Sequence, residues 1–251
     1  MKKDNLGDRM KGNYENRAKT QLLRRTPVII RLDGKAFHTF TRGFKKPFDD
    51  ILTEAMQQTM LTLCKEIQGC VLGYTQSDEI TLVLTDYKNL ETAAWFDYDI
   101  QKVCSVSASM VTLAFNRCFL KEMMRNKVGF ENSVHFQAWT KGALFDSRCF
   151  NIPKEEVTNC ILWRQQDAIR NSINAVGQAY FSHKELQGLS TDQILKKLLE
   201  EKQIDWNKLP VYLQRGSCCV KREVNGVDSW FIDTEIPIFK GKYRDYIENL
   251  L

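Results

Sequence analysis

The stretch over residues 71–84, Val-Leu-Gly-Tyr-Thr-Gln-Ser-Asp-Glu-Ile-Thr-Leu-Val-Leu, restricts the fold more than any other part of the chain. Two apolar runs, 71–74 and 80–84, flank a polar centre, the pattern of two strands joined as a hairpin. The connection ends on two adjacent carboxylates, Asp78 and Glu79. Upstream, residues 28–33 (Val-Ile-Ile-Arg-Leu-Asp) read as a buried strand that stops at Asp33 before Gly34. If the strand ends lie side by side, Asp33, Asp78 and Glu79 converge. Three carboxylates at that density repel unless cations sit between them. One or two Mg²⁺ ions are the expected solution, since they take oxygen ligands and leave positions open for phosphates. Singly, each of these acids is ordinary turn chemistry; together, with strands between them, they favour a metal site.

The rest of the chain supplies the frame. Gly34, Lys35, Ala36, Phe37 and His38 form a tight loop. Glycine there allows successive N–H groups to point into one hollow and hold a phosphate. A helix is expected to start at Asp49 or Asp50, with Leu52, Ala55, Met56, Met60, Leu63, Cys64 and Ile67 as its core face and Gly69 as its stop. A long helix is expected over about 90–119, on Ala93, Phe96, Ile100, Val103, Met110, Ala114 and Cys118. Two strand-like pieces follow, 134–140 and 143–150. The order strand, helix, strand, strand, helix, strand is the βαββαβ pattern of the α+β ferredoxin-like fold. Beyond Pro153 the pattern turns mostly helical. Ser182 with Glu185, and Ser190 with Gln193, are capping boxes. Asn225-Gly226 between two strand-like runs signals a type I′ hairpin. The expected division is a basic helical arm over 1–26, a palm-like catalytic core over 27–152, and a helical and hairpin region over 153–251 packed on the core.

Composition narrows the setting. A chain of 251 residues can hold one large core with an appended lobe. No apolar run is read as approaching the ~18 residues of a membrane span. Lys2 and Lys3 precede no apolar stretch, so neither a signal peptide nor a membrane partner is expected. Eight cysteines without a Cys-x-x-Cys pair or zinc spacing fit a reduced, cytoplasmic protein. Residues 1–26 hold eight basic and three acidic side chains, which accounts for the whole net charge of +5. Leu6, Met10, Tyr14, Ala18 and Leu22 recur every four residues there, as in a helix with one apolar face. Such an arm suits a polyanionic partner, or is simply a solvated helix.

The βαββαβ order is shared by RNA-recognition modules, nucleotidyl cyclases and polymerase palms. An RNA-recognition module carries stacking aromatics on its central strands; here Tyr74 alone could serve, and the strand ends carry acids. Cyclases and palms need acids at the strand ends for two metals around a triphosphate. The basic arm and appended helices favour a nucleic-acid substrate over a lone nucleotide.

Several blocks resemble the tRNA-histidine guanylyltransferase family, the 3′-to-5′ polymerases. They are Arg31-Leu32-Asp33-Gly34-Lys35-Ala36-Phe37-His38, Phe44-Lys45-Lys46-Pro47-Phe48-Asp49 and Tyr74-Thr75-Gln76-Ser77-Asp78-Glu79. Phe145-Asp146-Ser147-Arg148 and Trp163-Arg164-Gln165-Gln166-Asp167 match as well. The resemblance implies that Asp33, Asp78 and Glu79, with the Gly34 carbonyl, hold two Mg²⁺. It implies a triphosphate on the Gly34-to-His38 loop, Ser77 near a base, and Arg31, Lys46, Asp49 and Lys102 on nucleotide or phosphate. Arg148, Arg164, Asn171 and Arg215 are implied for RNA, and ATP, GTP or other nucleoside triphosphates as substrates beside tRNA. A homo-oligomer, a tetramer, is implied too. One block departs from the family. Its eukaryotic tRNA-histidine enzymes carry Cys-His-Ile-Asn-Asn after Trp-Arg-Gln-x-Asp, where this chain has Ala168-Ile169-Arg170-Asn171-Ser172. The lost His points to the branch that repairs tRNA 5′ ends against a template. The alternatives are a dedicated enzyme adding one G, a palm-type cyclase, and a non-catalytic RNA-binding relative.

Overall fold

Residues 28–34 can form only an extended, buried element: every second side chain is apolar on one face, and the others are apolar until Arg31 and Asp33. In the computed structural model, which describes residues 5–129, 133–224 and 226–251, this is strand β1 (Val28–Gly34). Before it lies helix α1 (Asn5–Asn13). After it come α2 (Phe37–Phe40), α3 (Asp50–Glu66), β2 (Cys70–Gln76), β3 (Glu79–Leu84) and α4 (Ile100–Arg125). Then follow α5 (Val134–Lys141), β4 (Phe145–Asn151), α6 (Lys154–Tyr180), α7 (His183–Leu186), α8 (Thr191–Lys202) and α9 (Val211–Arg215). The chain ends with β5 (Ser217–Val224), β6 (Val227–Asp233) and α10 (Asp245–Glu248).

The strands form one antiparallel sheet in the order β4-β1-β3-β2-β5-β6. Its first four strands have the βαββαβ order read from the sequence, with β3 antiparallel to both β1 and β2. The hairpin β5–β6 extends that sheet, because β5 pairs with β2 from Leu72 opposite Val220 to Thr75 opposite Ser217. Gly226 has φ +78°, while the Asn225 half of the expected type I′ turn lies outside the described residues.

Strand alternation divides the core. Val28, Ile30, Leu32, Ile80, Leu82 and Leu84 share a cluster with α3 and α4. Ile29, Leu72, Tyr74 and Val83 join Val157 and Ile161 of α6 in another. All ten strand residues are essentially inaccessible, and each such side chain contributes on the order of 1.5–3 kcal/mol by leaving water. A third cluster, with Ile173, Val176, Ile194 and Leu198, ties α6 to α8.

Four expectations need correction. Residues 134–140 form a helix, not a strand. Their first five side chains alternate apolar and polar, which reads as period two, but Ser133 accepts a hydrogen bond from the Phe136 N–H at 3.0 Å and caps a helix. The helix expected from residue 90 starts at Ile100. Asp99 caps it by accepting from the Lys102 N–H, after a tight turn (Trp95–Tyr98) with Phe96, Asp97 and Tyr98 in left-handed conformations. The helix also reaches farther, to Arg125, and an 18-residue window in it has a mean hydropathy of 1.4, long and apolar enough to cross a membrane. That differs from the reading that no apolar run approaches span length. Its Val103, Val111, Phe115 and Phe119 are buried in the core shared with the sheet and α3.

The arm is not one helix to Leu22. After α1 and a short turn (Glu15–Ala18), neither with a buried residue, the chain becomes a strap. Gln21 bridges to Asp99, and Arg24 Nε donates to the fully buried Asp86 at 2.6 Å.

Candidate active site

Asp33 is the penultimate residue of β1 and lies in register with Glu79 on one side and Asp146 on the other. Ser77 and Asp78 make the two-residue turn between β2 and β3, with Ser77 at φ +51°. The Gly34 N–H donates to the Asp78 carbonyl at 3.1 Å, which fastens the turn to the end of β1. A Cβ on Gly34 would sit 2.3 Å from the Phe37 ring, so no larger residue fits that approach. Asp33, Gly34 and Asp78 all line a cavity of about 660 Å³ between the sheet end, α3 and α6. Burial pushes the Asp78 carboxyl up from its ordinary value; the Ser77 hydroxyl, donating at 2.9 Å, opposes this, and the nearby Asp33 charge adds to it.

Glu79 does not join them at the cavity. Its carboxylate accepts from Arg164 Nε at 2.6 Å and Nη2 at 2.8 Å, with Arg31 Nε at 3.3 Å. The Trp163 ring lies against both guanidiniums, 4.5 Å from Arg164 and 5.6 Å from Arg31. Asp167 then accepts from Arg164 and from Arg170. Burial pushes the Glu79 carboxyl up, and the Arg164 hydrogen bonds and charge pull against it. Among the described residues, no group of three or more His, Cys, Asp or Glu side chains is arranged to hold a metal. Asp33 and Asp78 are the two carboxylates that line the cavity at the end of the sheet, beside Gly34.

The remaining residues singled out in the sequence divide by place. Ala36, Phe37 and His38 line the cavity beside Gly34. Ala36 is left-handed at φ 53° and starts α2, whose leading N–H groups have no helical partner. The Phe37 ring anchors the loop in an aromatic cluster with Phe115 and Phe145. Lys46, Asp49, Ser77 and Asn171 line the cavity too. Lys35 is exposed, its N–H donating to the Leu144 carbonyl. Lys102 lies away from the cavity lining, its ammonium 5.7 Å from the Phe96 ring. Arg148 is half-exposed, 3.2 Å from Asp146 and 3.8 Å from Asp33. Arg164 is buried under Glu79. The Arg215 guanidinium bonds the Ile236 carbonyl and Gln214, and its own carbonyl accepts from the Tyr74 hydroxyl, so it fixes α9 to the sheet.

Some wall residues had no sequence signal. Gln57 of α3 donates to the Ser217 hydroxyl at 2.8 Å, a pair 160 residues apart. Both line the cavity, with Tyr212 and Gln214 from the last third of the chain. His135 does not line it but bonds Asp49, which does. The strand pattern over 134–140 concealed this.

A family model described as tRNAHis guanylyltransferase matches residues 7–153. Over the whole chain there is similarity to a bacterial tRNA(His) guanylyltransferase (Thg1)-like protein solved in complex with ATP. The two are 44% identical with a TM-score of 0.84, and the match covers 98% of each chain. A structure of such a bacterial protein in complex with GTP is 41% identical with a TM-score of 0.80, covering 98% of this chain and 99% of that one. A probable tRNA(His) guanylyltransferase of Dictyostelium discoideum is 29% identical, over 91% of this chain and 86% of that protein.

Proposed function

The chain belongs to the tRNAHis guanylyltransferase family, a family of nucleotidyltransferases, and from that premise we propose that it adds nucleotides to the 5′ end of truncated tRNA in the 3′-to-5′ direction, against a template. The observation that carries this reading is the placement of Asp33 and Asp78 together at one large cavity walled by the Gly34-to-His38 loop and Lys46.

The donor set fits Mg²⁺. Two carboxylates and a backbone carbonyl are hard oxygen ligands, and Mg²⁺ is typically held by one or two carboxylates with substrate phosphates and water completing the shell. Asp33, Asp78 and the Gly34 carbonyl would hold it. Bound there, it would supply charge neutralisation at the reacting phosphates. Glu79 balances Arg31 and Arg164 beneath the site instead of adding a third negative charge to it.

The chemistry needs no nucleophilic side chain. A 5′-monophosphate lacks a leaving group. Its oxygen attacks the α-phosphorus of ATP, expelling pyrophosphate and leaving a 5′-adenylylated RNA. The 3′-hydroxyl of an incoming nucleoside triphosphate then attacks the 5′-phosphorus and expels AMP. Both steps demand alignment and charge neutralisation. The loop backbone and Lys46 would orient phosphates, and Arg148, exposed beside Asp33, would meet the RNA end.

The family name itself supports a second reading, the addition of one G. Against it, of the segment that replaces the eukaryotic His-Ile-Asn-Asn, Ser172 is engaged internally. It donates to the Leu213 carbonyl and accepts from Trp206. Incubation with ATP, GTP, Mg²⁺ and 5′-truncated tRNA tests the proposal. Lengthened RNA is expected; a cyclic nucleotide, or no reaction, would refute it.

A further inference from the structure

We infer that His135 is a positioning residue for nucleotide binding: by holding the Asp49 carboxylate it sets the cavity wall formed by residues 44–49. The inference rests on reading this cavity as the site of a nucleoside triphosphate.

The geometry is specific. His135 Nε2 lies 2.9 Å from Asp49 Oδ2. A carboxylate can only accept, so Nε2 carries the proton. The carboxylate also accepts from the Lys45 N–H at 3.2 Å and the Leu52 N–H at 3.1 Å. Those two donors belong to the wall and to the first turn of α3. His135 comes from α5, 86 residues away. Its ring sits in a slot between Phe44, at 4.4 Å between centroids, and Phe119, at 6.1 Å. The preceding residue, Val134, lies close to the chain just before the wall. Gly43 has φ +86°, and a Cβ there would lie 3.1 Å from Val134 Cγ1.

The first turn of α5 therefore meets the wall at Phe44 and Asp49, and the chain just before it at Gly43. Phe44, Lys45, Lys46 and Asp49 line the cavity, and His135 does not. Asp49 is 6% exposed. A buried carboxylate that loses a charge-assisted hydrogen bond loses stabilisation that water does not replace. It would turn toward the cavity opening, and the lysines on the same loop would move with it. Nucleotide affinity should depend on this bond, whereas the chemistry at Asp33 and Asp78, on separate elements, should not.

His135→Phe keeps a ring in the slot and removes the bond. His135→Gln restores a side-chain N–H donor. Equilibrium titration with ATP and GTP in Mg²⁺, single-turnover addition to truncated tRNA, and thermal denaturation should be run on all three proteins. His135→Phe should bind both nucleotides about tenfold more weakly, with a saturating single-turnover rate within about twofold of wild type. His135→Gln should recover most of the affinity. Wild-type affinity in His135→Phe, with or without a lower melting temperature, would overturn the inference and leave a merely structural clamp. A saturating rate that falls as much as affinity would overturn it too. If the unaltered protein binds neither nucleotide, the reading of the cavity itself fails, a result distinct from tight binding that His135→Phe leaves unchanged.

Discussion

Glu79 and Arg164 form a two-pronged buried ion pair, with Nε at 2.6 Å and Nη2 at 2.8 Å from the two carboxylate oxygens. It joins the first residue of β3 to the middle of α6, directly beneath the turn that carries Asp78. Both side chains are less than a tenth exposed. The pair is thus a tie between the sheet and the helical region, and it keeps one of three neighbouring acids out of the cavity.

Breaking that tie should be costly. Glu79→Ala leaves the Arg164 and Arg31 guanidiniums without their shared counter-charge, and Arg164→Ala leaves a buried carboxylate. Removing one partner of a buried pair typically costs about 3–5 kcal/mol. Each single variant should lose on the order of 3 kcal/mol of unfolding free energy, and the double variant clearly less than the sum. Denaturant titrations check this. Mn²⁺ binding followed by electron paramagnetic resonance should be retained in any Glu79→Ala protein that remains folded, whereas failure to bind the ion would make Glu79 a ligand.

Asp33→Asn and Asp78→Asn should behave in the opposite way. Each should cost at least about a hundredfold in turnover, in the range seen when a group that balances transition-state charge is removed. Neither should unfold the protein. In EDTA, Asp78→Asn should be the more stable protein at neutral pH. Burial, with the Asp33 charge adding, raises the Asp78 carboxyl above 3.8, so the folded state prefers it protonated. Wild-type stability then contains a cost that is present above the raised value and vanishes as pH falls through that value toward 3.8. The advantage of the Asn variant should shrink over the same window. An advantage that is constant with pH would show that Asp78 is not strained by its surroundings.

The sheet was legible because the runs 28–32, 71–74 and 80–84 are almost entirely apolar, leaving strands as the economical reading. The Asp49 cap and the two capping boxes were legible for a local reason: partner and acceptor lie three residues apart. The α5 error was local as well. Alternation over 134–138 outweighed the Ser133 cap and the Gly142 stop. Glu79 is different. Only the Arg164 contact, 85 residues away, decides that its carboxylate goes to α6. The same holds for Gln57 with Ser217 and His135 with Asp49, whose separations leave no periodicity to read.

The arm divides into a removable part and a structural one. Residues 5–18 have no buried side chain, but Arg24 and the Arg25 N–H both bond the buried Asp86. Deleting residues 1–18 should leave the melting temperature within about 2 °C of wild type. It should weaken tRNA binding and flatten the dependence of log affinity on log salt by about 0.9 for each phosphate that the arm neutralises. Deletion through residue 24 should in addition destabilise the fold, because Asp86 loses its guanidinium. A salt slope unchanged by the shorter deletion would mean that the arm is solvated or packs on protein.

Selection of the added nucleotide should follow the opposing strand. Reading G irrespective of the opposite base requires several fixed polar partners for the base edge, since an unmade hydrogen bond is what gives strong discrimination. At this cavity the Gly34-to-His38 loop offers chiefly backbone, and the Ser77 hydroxyl already donates to Asp78. Gln57 is bonded to Ser217, and Ser172 to Leu213 and Trp206. Of the segment 168–172, Asn171 is the exposed polar side chain that faces the cavity. Watson–Crick pairing would then supply the choice, with the protein aligning phosphates. The measurement uses 5′-monophosphorylated tRNAs that lack the first nucleotide, with each of the four bases opposite the gap. The added nucleotide should be the complement in every case, and addition should stop when the stem is full. Asn171→Ala should alter the rate more than the identity of the product. Insertion of G opposite all four bases would assign the choice to the protein and the chain to single-G addition.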